Sequence, residues 1–255
     1  MSKNVKMVLE YDGTRYDGWQ KQGNTGNTIQ AKLEQVLERM TGVPVEVHGS
    51  GRTDAGVHAS GQTANAHLET RLSAQEIKAY MNQYLPEDIR VLSAEEVQPR
   101  FHSRLNAVSK IYTYYVDMAE KTSVFDRRYV YTLGERLDVD AMRAAAGNLC
   151  GTHDFKSFST GKTGRKSTVR TIWDIRIGVE GTKLKIEFFG NGFLYNMVRI
   201  LTGTLIEVGQ GKRSPQSMGQ ILEARERAQA GFTAPAKGLF LSAVFYEEAA
   251  GSAAE

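Results

Sequence analysis

The sequence predicts an α+β fold of two pseudo-symmetric ferredoxin-like (split βαβ) halves, with antiparallel or mixed sheets flanking a central basic cleft. The first half alternates strand and helix signals in the order β-α-β-β-α-β, which is the split βαβ pattern. The second half roughly repeats this order. The 255 residues, 41% of them hydrophobic, suffice for one large domain or two small ones. We therefore expect an N-terminal domain at 1–105 and a C-terminal domain at 106–246.

Local patterns define the elements of the first half. Apolar residues alternate from Val5 to Tyr11, which indicates a strand. Thr28 is a typical N-cap and Gly42 a typical helix stop, and Ser73-Ala-Gln-Glu76 forms a capping box. The predicted elements are, in order, a strand at 5–11, a helix at 29–40, a strand at 43–47, a strand at 62–68, a helix ending near 84 and a strand at 91–97.

The second half is described in the same way. Asp138 is the N-cap of a predicted helix, Glu180-Gly181-Thr182 is the turn of a hairpin, and Ser214-Pro215 opens a helix. The predicted elements are a strand at 110–116, a helix reaching 149, a hairpin of strands 171–179 and 183–189, an apolar helix at 193–208, the helix after 214 and a strand at 239–246. The small, acidic tail at 247–255 is expected to be disordered.

Composition excludes several classes of protein. No apolar run reaches the ~20 residues of a membrane span, and the N-terminus lacks the apolar region of a secretion signal. Cys150 is the sole cysteine, so no internal disulfide forms and a cytoplasmic location is expected. The five histidines lack the spacing of a compact metal site, so we expect no metal.

The net charge is +3, which indicates a nucleic-acid partner only weakly. Basic residues cluster between Lys162 and Arg170, at Arg100 and Arg104, and in Lys212-Arg213. Each cluster taken alone is consistent with solvated surface. Several basic loops together favour contact with phosphates.

Gly49 to Ala59 is the most informative segment of the chain. Its glycines at 49, 51 and 56 disfavour regular structure and let another backbone or a ligand come close. Asp54 lies in this segment, two residues after Arg52. The spacing matches neither a Walker A loop nor GxGxxG. The pattern is consistent with a functional carboxylate and also with a structural Asx-type turn.

The apolar segment from Phe193 to Ile206 predicts a largely buried helix that contains Arg199. Arginine is rarely fully buried without a partner, and breaking a buried ion pair costs about 3–5 kcal/mol. We therefore expect an anion beside Arg199, which could be a core carboxylate, a substrate phosphate or a catalytic aspartate. Asp54 is the best candidate, and such a pairing would keep it ionised near neutral pH.

A tyrosine-rich strand begins at Lys110. Lys110, Tyr112 and Tyr114 share one face of it. Such strands are commonly core. An aromatic ring that stacks on a base contributes roughly 1–3 kcal/mol, so beside a basic cleft the strand is also a possible base platform.

Five ordered blocks resemble the tRNA pseudouridine synthases of the TruA type over nearly all of residues 4–246. YDGTRYDGWQ (11–20) resembles the opening motif of that family and GRTDAGVHA (51–59) its catalytic loop. FHSRLNAVSKIYTYY (101–115), GFLYNMVR (192–199) and TAPAKGLFLSAVFY (233–246) resemble its later motifs. Leu105 stands where many relatives have phenylalanine.

The resemblance implies isomerisation of uridine to pseudouridine at positions 38, 39 and 40 in the anticodon arm of tRNA. It implies no cofactor, no metal and a homodimer whose subunits share each tRNA. By the family pattern Asp54 is the catalytic aspartate, Tyr112 stacks on the target base, Arg52 is linked to base flipping, and Arg199 is the basic partner of Asp54. Segments matching tRNA contacts contain Phe101, His102, Arg104, Lys162, Arg165 and Lys166.

Two other readings compete with the isomerase. A non-catalytic tRNA-binding or folding protein could use the same scaffold, although the presence of Asp54, Tyr112 and Arg199 argues against it. A nucleobase hydrolase could use Asp54 on the same sugar carbon, and it would release free uracil. For the isomerase, Asp54 must be an anion that attacks the sugar, assists deprotonation there or adds to the uracil ring.

Overall fold

The computed structural model describes residues 2–161 and 167–246, and these form an α+β structure with five α-helices and ten strands. Lys162, Arg165, Lys166 and the predicted disordered tail at 247–255 lie outside the described residues. The chain divides into two compact units. The first contains residues up to Val108 together with those from Phe240 onward, and the second contains Ser109–Leu239. The predicted boundary at 105/106 lies three residues before this division, and the prediction assigned the last strand to the C-terminal domain.

The first unit has the element order β-α-β-β-α-β. Its elements are β1 (Ser2–Tyr11), α1 (Ile29–Thr41), β2 (Val47–Gly49), β3 (His58–Glu69), α2 (Ala74–Tyr84) and β4 (Ile89–Val97). β1 lies between β3 and β4 and is antiparallel to both, and β2 is antiparallel to β3. The last strand, β10 (Leu239–Phe245), joins this sheet when Phe240 and Leu241 pair in parallel with His58 and Ala59.

Both helices of the first unit begin and end at the residues that the sequence indicates. The Thr28 side chain accepts a hydrogen bond from the Ala31 amide, and Gly42 ends α1 in a left-handed conformation with φ 77°. The capping box of Ser73 and Glu76 is formed. Alternate residues of β1 and the apolar face of each helix are buried. They form the core of this unit, which includes Met7, Leu9, Leu33, Leu37, Ile77 and Met81.

The second unit contains a four-stranded antiparallel sheet in the order β5-β9-β8-β7, with β6 parallel to β5. Its elements are β5 (Ser109–Asp117), β6 (Tyr131–Thr132), α3 (Val139–Gly147), β7 (Gly151–Asp154), β8 (Val169–Glu180), β9 (Lys183–Gly190), α4 (Met197–Gly209) and α5 (Ser217–Ala224). The predicted hairpin is confirmed, because β8 and β9 pair antiparallel and Gly181 has φ 60° at their turn.

Several predicted boundaries are wrong. The strand predicted at 62–68 begins four residues earlier, at His58, and the helix predicted to reach 149 ends at Gly147. The strand predicted at 43–47 is Val47–Gly49, since Pro44 has no amide to donate to a neighbouring strand. The helix predicted from 193 begins at Met197, because the left-handed Asn196 (φ 60°) cannot lie inside a helix. The last helix begins at Ser217, because residues 214–217 form a turn in which the Ser217 amide donates to the Ser214 carbonyl oxygen.

None of the helices in the described ranges combines the length and the apolarity that crossing a membrane requires.

Candidate active site

The loop at residues 50–57, which we call the Asp loop, connects β2 to β3 in the first unit. Its first residues are held by buried side chains. The Ser50 amide donates to the Thr63 carbonyl oxygen at 2.8 Å, and the Ser50 hydroxyl donates to Oε1 of Gln62 at 2.6 Å. The Gln62 amide then donates to the Gly51 carbonyl oxygen at 3.0 Å. Ser50 and Gln62 are fully buried, so this end of the loop is rigid.

Asp54 is half-buried, and the backbone on both sides of it is fixed. The carbonyl oxygen of Thr53 accepts the Trp19 amide at 3.0 Å, and the Val57 amide donates to the Asp54 carbonyl oxygen at 3.1 Å. Gly18 has φ 92°, and a Cβ there would lie 2.7 Å from the Thr53 oxygen. The glycine of the GWQ triplet therefore lets the two segments touch.

The other end of the Asp loop rests on the segment around Gly13. A Cβ on Gly13 would lie 2.0 Å from the Val57 carbonyl oxygen, so only glycine fits. The Gly13 amide donates to Nδ1 of His58 at 3.0 Å. His58 is fully buried and stacks on Phe240 at 4.7 Å. The motifs at 11–20 and 51–59 are thus one packed block that presents Asp54.

Arg52 extends from the Asp loop into solvent, and its side chain has a defined contact. Its Nε donates to Oε1 of Gln20 at 3.0 Å. Gln20 is the last residue of the block at 11–20.

Tyr112 lies on β5 of the second unit with 9% of its surface exposed. The centroids of the Tyr112 and Phe193 rings are 5.2 Å apart and the ring planes are inclined by 79°, which is a favourable T-shaped aromatic geometry. Tyr114 has a different role, because it is fully buried and its hydroxyl donates to the Pro235 carbonyl oxygen at 2.7 Å. Burial raises the pKa of Tyr114. Tyr114 is therefore a residue of the hydrophobic core, which is the alternative to a base platform that the sequence allowed.

Arg199 lies in the first turn of α4, a helix whose other residues are nearly all buried, as predicted. The arginine itself is half-buried. Its Nε donates to the Ala234 carbonyl oxygen at 2.7 Å, and its Nη1 donates to Oδ1 of Asn196 at 2.9 Å. These two contacts orient the guanidinium. Its pairing with Asp54 stays a prediction.

The segment from Phe101 to Arg104 is held by a buried amide pair. Asn4 donates to the Phe101 carbonyl oxygen at 2.8 Å, and the Ser103 amide donates to Oδ1 of Asn65 at 2.8 Å. Phe101 and His102 are half-buried and Arg104 is exposed. The backbone of this segment is therefore fixed while its predicted RNA-contacting side chains reach the surface.

His102 stacks on His48 with ring centroids 4.8 Å apart. Burial, followed by the neighbouring His48, lowers the pKa of His102 below its usual 6.5. His102 thus favours its neutral form in the folded protein.

A family model described as tRNA pseudouridine synthase matches residues 7–106 and 145–247. The chain belongs to this family. Members of the family are isomerases that convert uridine to pseudouridine in tRNA, so the resemblance of the five sequence blocks is confirmed at the level of family and reaction. Asp54, Arg52 and Arg199 lie inside the matched segments, and Tyr112 lies between them.

Curated relatives agree along nearly the whole chain. A protein named tRNA pseudouridine synthase A from Bacillus sp. strain KSM-64 is 46% identical over 243 residues, which cover 95% of this chain and 99% of the relative. Proteins named tRNA pseudouridine synthase A 2 are 44% identical in Bacillus anthracis, over 94% of this chain and 98% of the relative, and in Clostridium tetani, over 96% and 100%.

Among solved structures, a chain of a Cbf5-Nop10-Gar1 complex aligns with 79% of this chain and 45% of its own length, at 12% identity and a TM-score of 0.36.

Sequence reasoning about this pseudouridine synthase did not single out Phe193 or Gln20. Phe193 contacts Tyr112, and its position in the GFLYNMVR block was the available signal. Gln20 contacts Arg52. The sequence feature that could have indicated this role is a polar residue at the end of the block at 11–20.

Proposed function

We propose that this tRNA pseudouridine synthase modifies uridines 38, 39 and 40 of the anticodon arm, with Asp54 as the catalytic carboxylate. The observation that carries the proposal is the placement of Asp54. It is half-buried on a loop whose backbone is fixed at Thr53 and Val57 by the opening motif. A carboxylate held in this way needs little reorganisation to meet a substrate.

The reaction breaks the bond from C1′ to N1, turns the uracil and joins C1′ to C5. The proton on C5 is lost to solvent and N1 gains one, so the product is an isomer of the substrate. Asp54 acts as an anion, whether at the sugar carbon, at a neighbouring sugar proton or at the uracil ring. We propose Arg199 as the basic partner that favours the ionised form of Asp54.

A uridine in a stem must leave its stack before the reaction, at a cost of a few kcal/mol. We propose that Arg52 braces the vacated space and that Tyr112 stacks on the flipped base. Stacking tolerates in-plane rotation of the detached uracil better than directional hydrogen bonds do. The contact with Phe193 supports this role, because it holds the Tyr112 ring in one orientation.

Further proposals concern the tRNA and the assembly. The protein acts in the cytoplasm as a homodimer. The residues that contact tRNA are Phe101, His102, Arg104, Lys162, Arg165 and Lys166. Each half of the chain is a ferredoxin-like domain, one pseudo-symmetric to the other, beside a basic cleft. The β-α-β-β-α-β order of the first unit supports this fold.

The test is release of tritium from tRNA labelled at uracil C5. Asp54→Asn should abolish release while the dissociation constant for tRNA stays within about twofold of the wild-type value, because the amide keeps the shape and removes the charge. Asp140→Asn is the matched control, since Asp140 is exposed and pairs with Arg143 on α3. Substantial release by Asp54→Asn would overturn the role of Asp54.

Tritium release together with analysis of the products separates the competing readings. A wild-type protein that binds tRNA tightly and releases no tritium would be a tRNA-binding or folding protein. Free uracil and an abasic site would indicate a hydrolase. Mapping of pseudouridine in tRNA from cells with and without the protein tests the three positions.

A further inference from the structure

The geometry points to Gln20 as a positioning residue for Arg52, with its orientation dictated by Gln30 and Glu34. The inference rests on the proposed function, because it matters for the reaction through the part that Arg52 plays in base flipping. It is carried by a chain of hydrogen bonds within the first unit that runs from Glu34 through Gln30 and Gln20 to Arg52.

The hydrogen-bond chain begins at Glu34, which lies on α1 and is 7% exposed. Its Oε1 accepts the Gln30 amide at 2.9 Å and the Val47 backbone amide at 3.2 Å. Its Oε2 accepts Nζ of Lys21 at 3.0 Å. This hydrogen bond raises the pKa of Lys21. Glu34 thus accepts three hydrogen bonds, from Gln30, the Val47 amide and Lys21.

Gln30, one helical turn before Glu34, is therefore fixed in one of its two amide orientations. Its Nε2 donates to Glu34 and to the Val47 carbonyl oxygen at 3.1 Å. Its Oε1 accepts the Lys21 backbone amide at 2.8 Å. A flipped amide would place oxygen against two acceptors and nitrogen against a donor. Because Gln30 is only 6% exposed, water would compensate poorly for such a loss.

The fixed amide of Gln30 also determines the amide orientation of Gln20. The Gln30 oxygen also accepts Nε2 of Gln20 at 2.7 Å, so the amide nitrogen of Gln20 must face Gln30. Its oxygen consequently faces Nε of Arg52 at 3.0 Å. The contact uses the guanidinium nitrogen nearest the stem, and Gln20 does not occupy the outer edge formed by the two terminal nitrogens.

This arrangement has a consequence for the reaction. An exposed arginine samples many rotamers, and ordering it on binding costs free energy. A side chain already held at Nε loses less of that freedom when it meets the flipped nucleotide. The expected signature is a slower isomerisation step with nearly unchanged tRNA affinity when Gln20 is removed.

A double-mutant cycle tests the inference. Gln20→Met keeps the length of the side chain and removes its hydrogen bonds, and Gln35→Met is the matched control at an exposed position of α1. Single-turnover tritium release by Gln20→Met should be about five- to tenfold slower than wild type, with the dissociation constant for tRNA within about twofold. The double variant with Arg52→Met should be no slower than Arg52→Met alone.

Gln20→Glu tests the direction of the hydrogen-bond chain. A carboxylate there can accept from Arg52 but cannot donate to Gln30, so its rate should fall as it does in Gln20→Met. A wild-type rate in Gln20→Glu, a wild-type rate in Gln20→Met, or losses that add to those of Arg52→Met would each overturn the inference.

The design separates this inference from the proposed function. A fully active Arg52→Met variant would remove the role of Arg52 itself. A slow Arg52→Met variant beside an unaffected Gln20→Met variant would remove only the role of Gln20. Thermal unfolding of each variant checks that its fold is kept.

Discussion

The hydroxyl of Thr53 lies 2.8 Å from the phenol oxygen of Tyr11, in a buried contact between the end of β1 and the residue before Asp54. Tyr11 is 4% exposed and Thr53 is 6% exposed. Burial raises the pKa of Tyr11, so the phenol stays protonated. The contact thus joins the opening motif to the Asp loop through a hydrogen bond that water does not replace.

Tyr11→Phe should lower both stability and activity. The change leaves the Thr53 hydroxyl buried without this partner, which costs about 1–3 kcal/mol in the free energy of unfolding. The isomerisation rate should fall more than the tRNA affinity does, because Thr53 precedes Asp54. Urea unfolding and single-turnover tritium release measure the two effects. Thr53→Ser keeps a hydroxyl and should stay close to wild type; a Tyr11→Phe protein with wild-type stability would contradict the prediction.

Gly13→Ala should displace the Asp loop. A Cβ at this position would lie 2.0 Å from the Val57 carbonyl oxygen, which is backbone and cannot rotate away. We expect a loss of about 1–3 kcal/mol in stability, as in other overpacked sites, and a strongly reduced rate. Gly23→Ala is the control, because a Cβ there meets nothing within 4 Å. Equal melting temperatures for the two variants would show that the backbone contact is unimportant.

The local elements could be predicted where one residue decides them. Thr28 and Gly42 bound α1 as expected, and Gly181 gives the turn between β8 and β9. β6 and β7 were not predicted, because strands of two and four residues depend on their neighbours rather than on their own pattern. The start of α4 was misplaced because the left-handed Asn196 interrupts a segment that is otherwise apolar throughout.

The site could be predicted less completely. Glycine spacing indicated the Asp loop, but the reason for Gly13 and Gly18 is contact with residues about forty positions later, which no local window contains. Gln30 and Glu34 stood near the apolar face of α1 as polar residues four positions apart. That was a signal for a buried polar pair, although their partners could not be read from the helix alone.

Phe193→Leu should slow isomerisation by loosening the Tyr112 ring. Edge-to-face pairs of this kind contribute about 0.5–1.5 kcal/mol beyond their buried area, so we expect a rate about two- to tenfold lower. Phe125→Leu makes the same change on a side chain that is 84% exposed in the same unit, and it should leave the rate unchanged. Tritium release under single-turnover conditions measures the isomerisation rate of each variant. Identical rates for both variants would argue against a role for Phe193.

His102 should make the stability depend on pH in the range below about 6.5. Burial and the adjacent His48 lower its pKa in the folded state, with Arg104 acting in the same direction and Glu46 opposing it. The unfolded chain therefore binds more protons than the folded chain as pH falls from 6.5 to the folded-state pKa. As the pH falls through this window, the contribution of His102 must decrease the free energy of unfolding. Above pH 6.5 this contribution is constant, and below the window the free energy keeps its reduced value.

The measurement is urea unfolding of the wild type and of His102→Gln at pH 7.5 and at pH 5.5. The glutamine can still accept the Arg104 amide that now donates to Nδ1 of His102 at 3.1 Å, but it cannot be protonated. The wild type should therefore lose more stability than His102→Gln on acidification. His48→Gln removes a charge that opposes protonation of His102, so an NMR titration of that variant should give His102 a higher pKa than in the wild type. Equal losses of stability in wild type and His102→Gln would mean that the stacked imidazoles do not disfavour the proton.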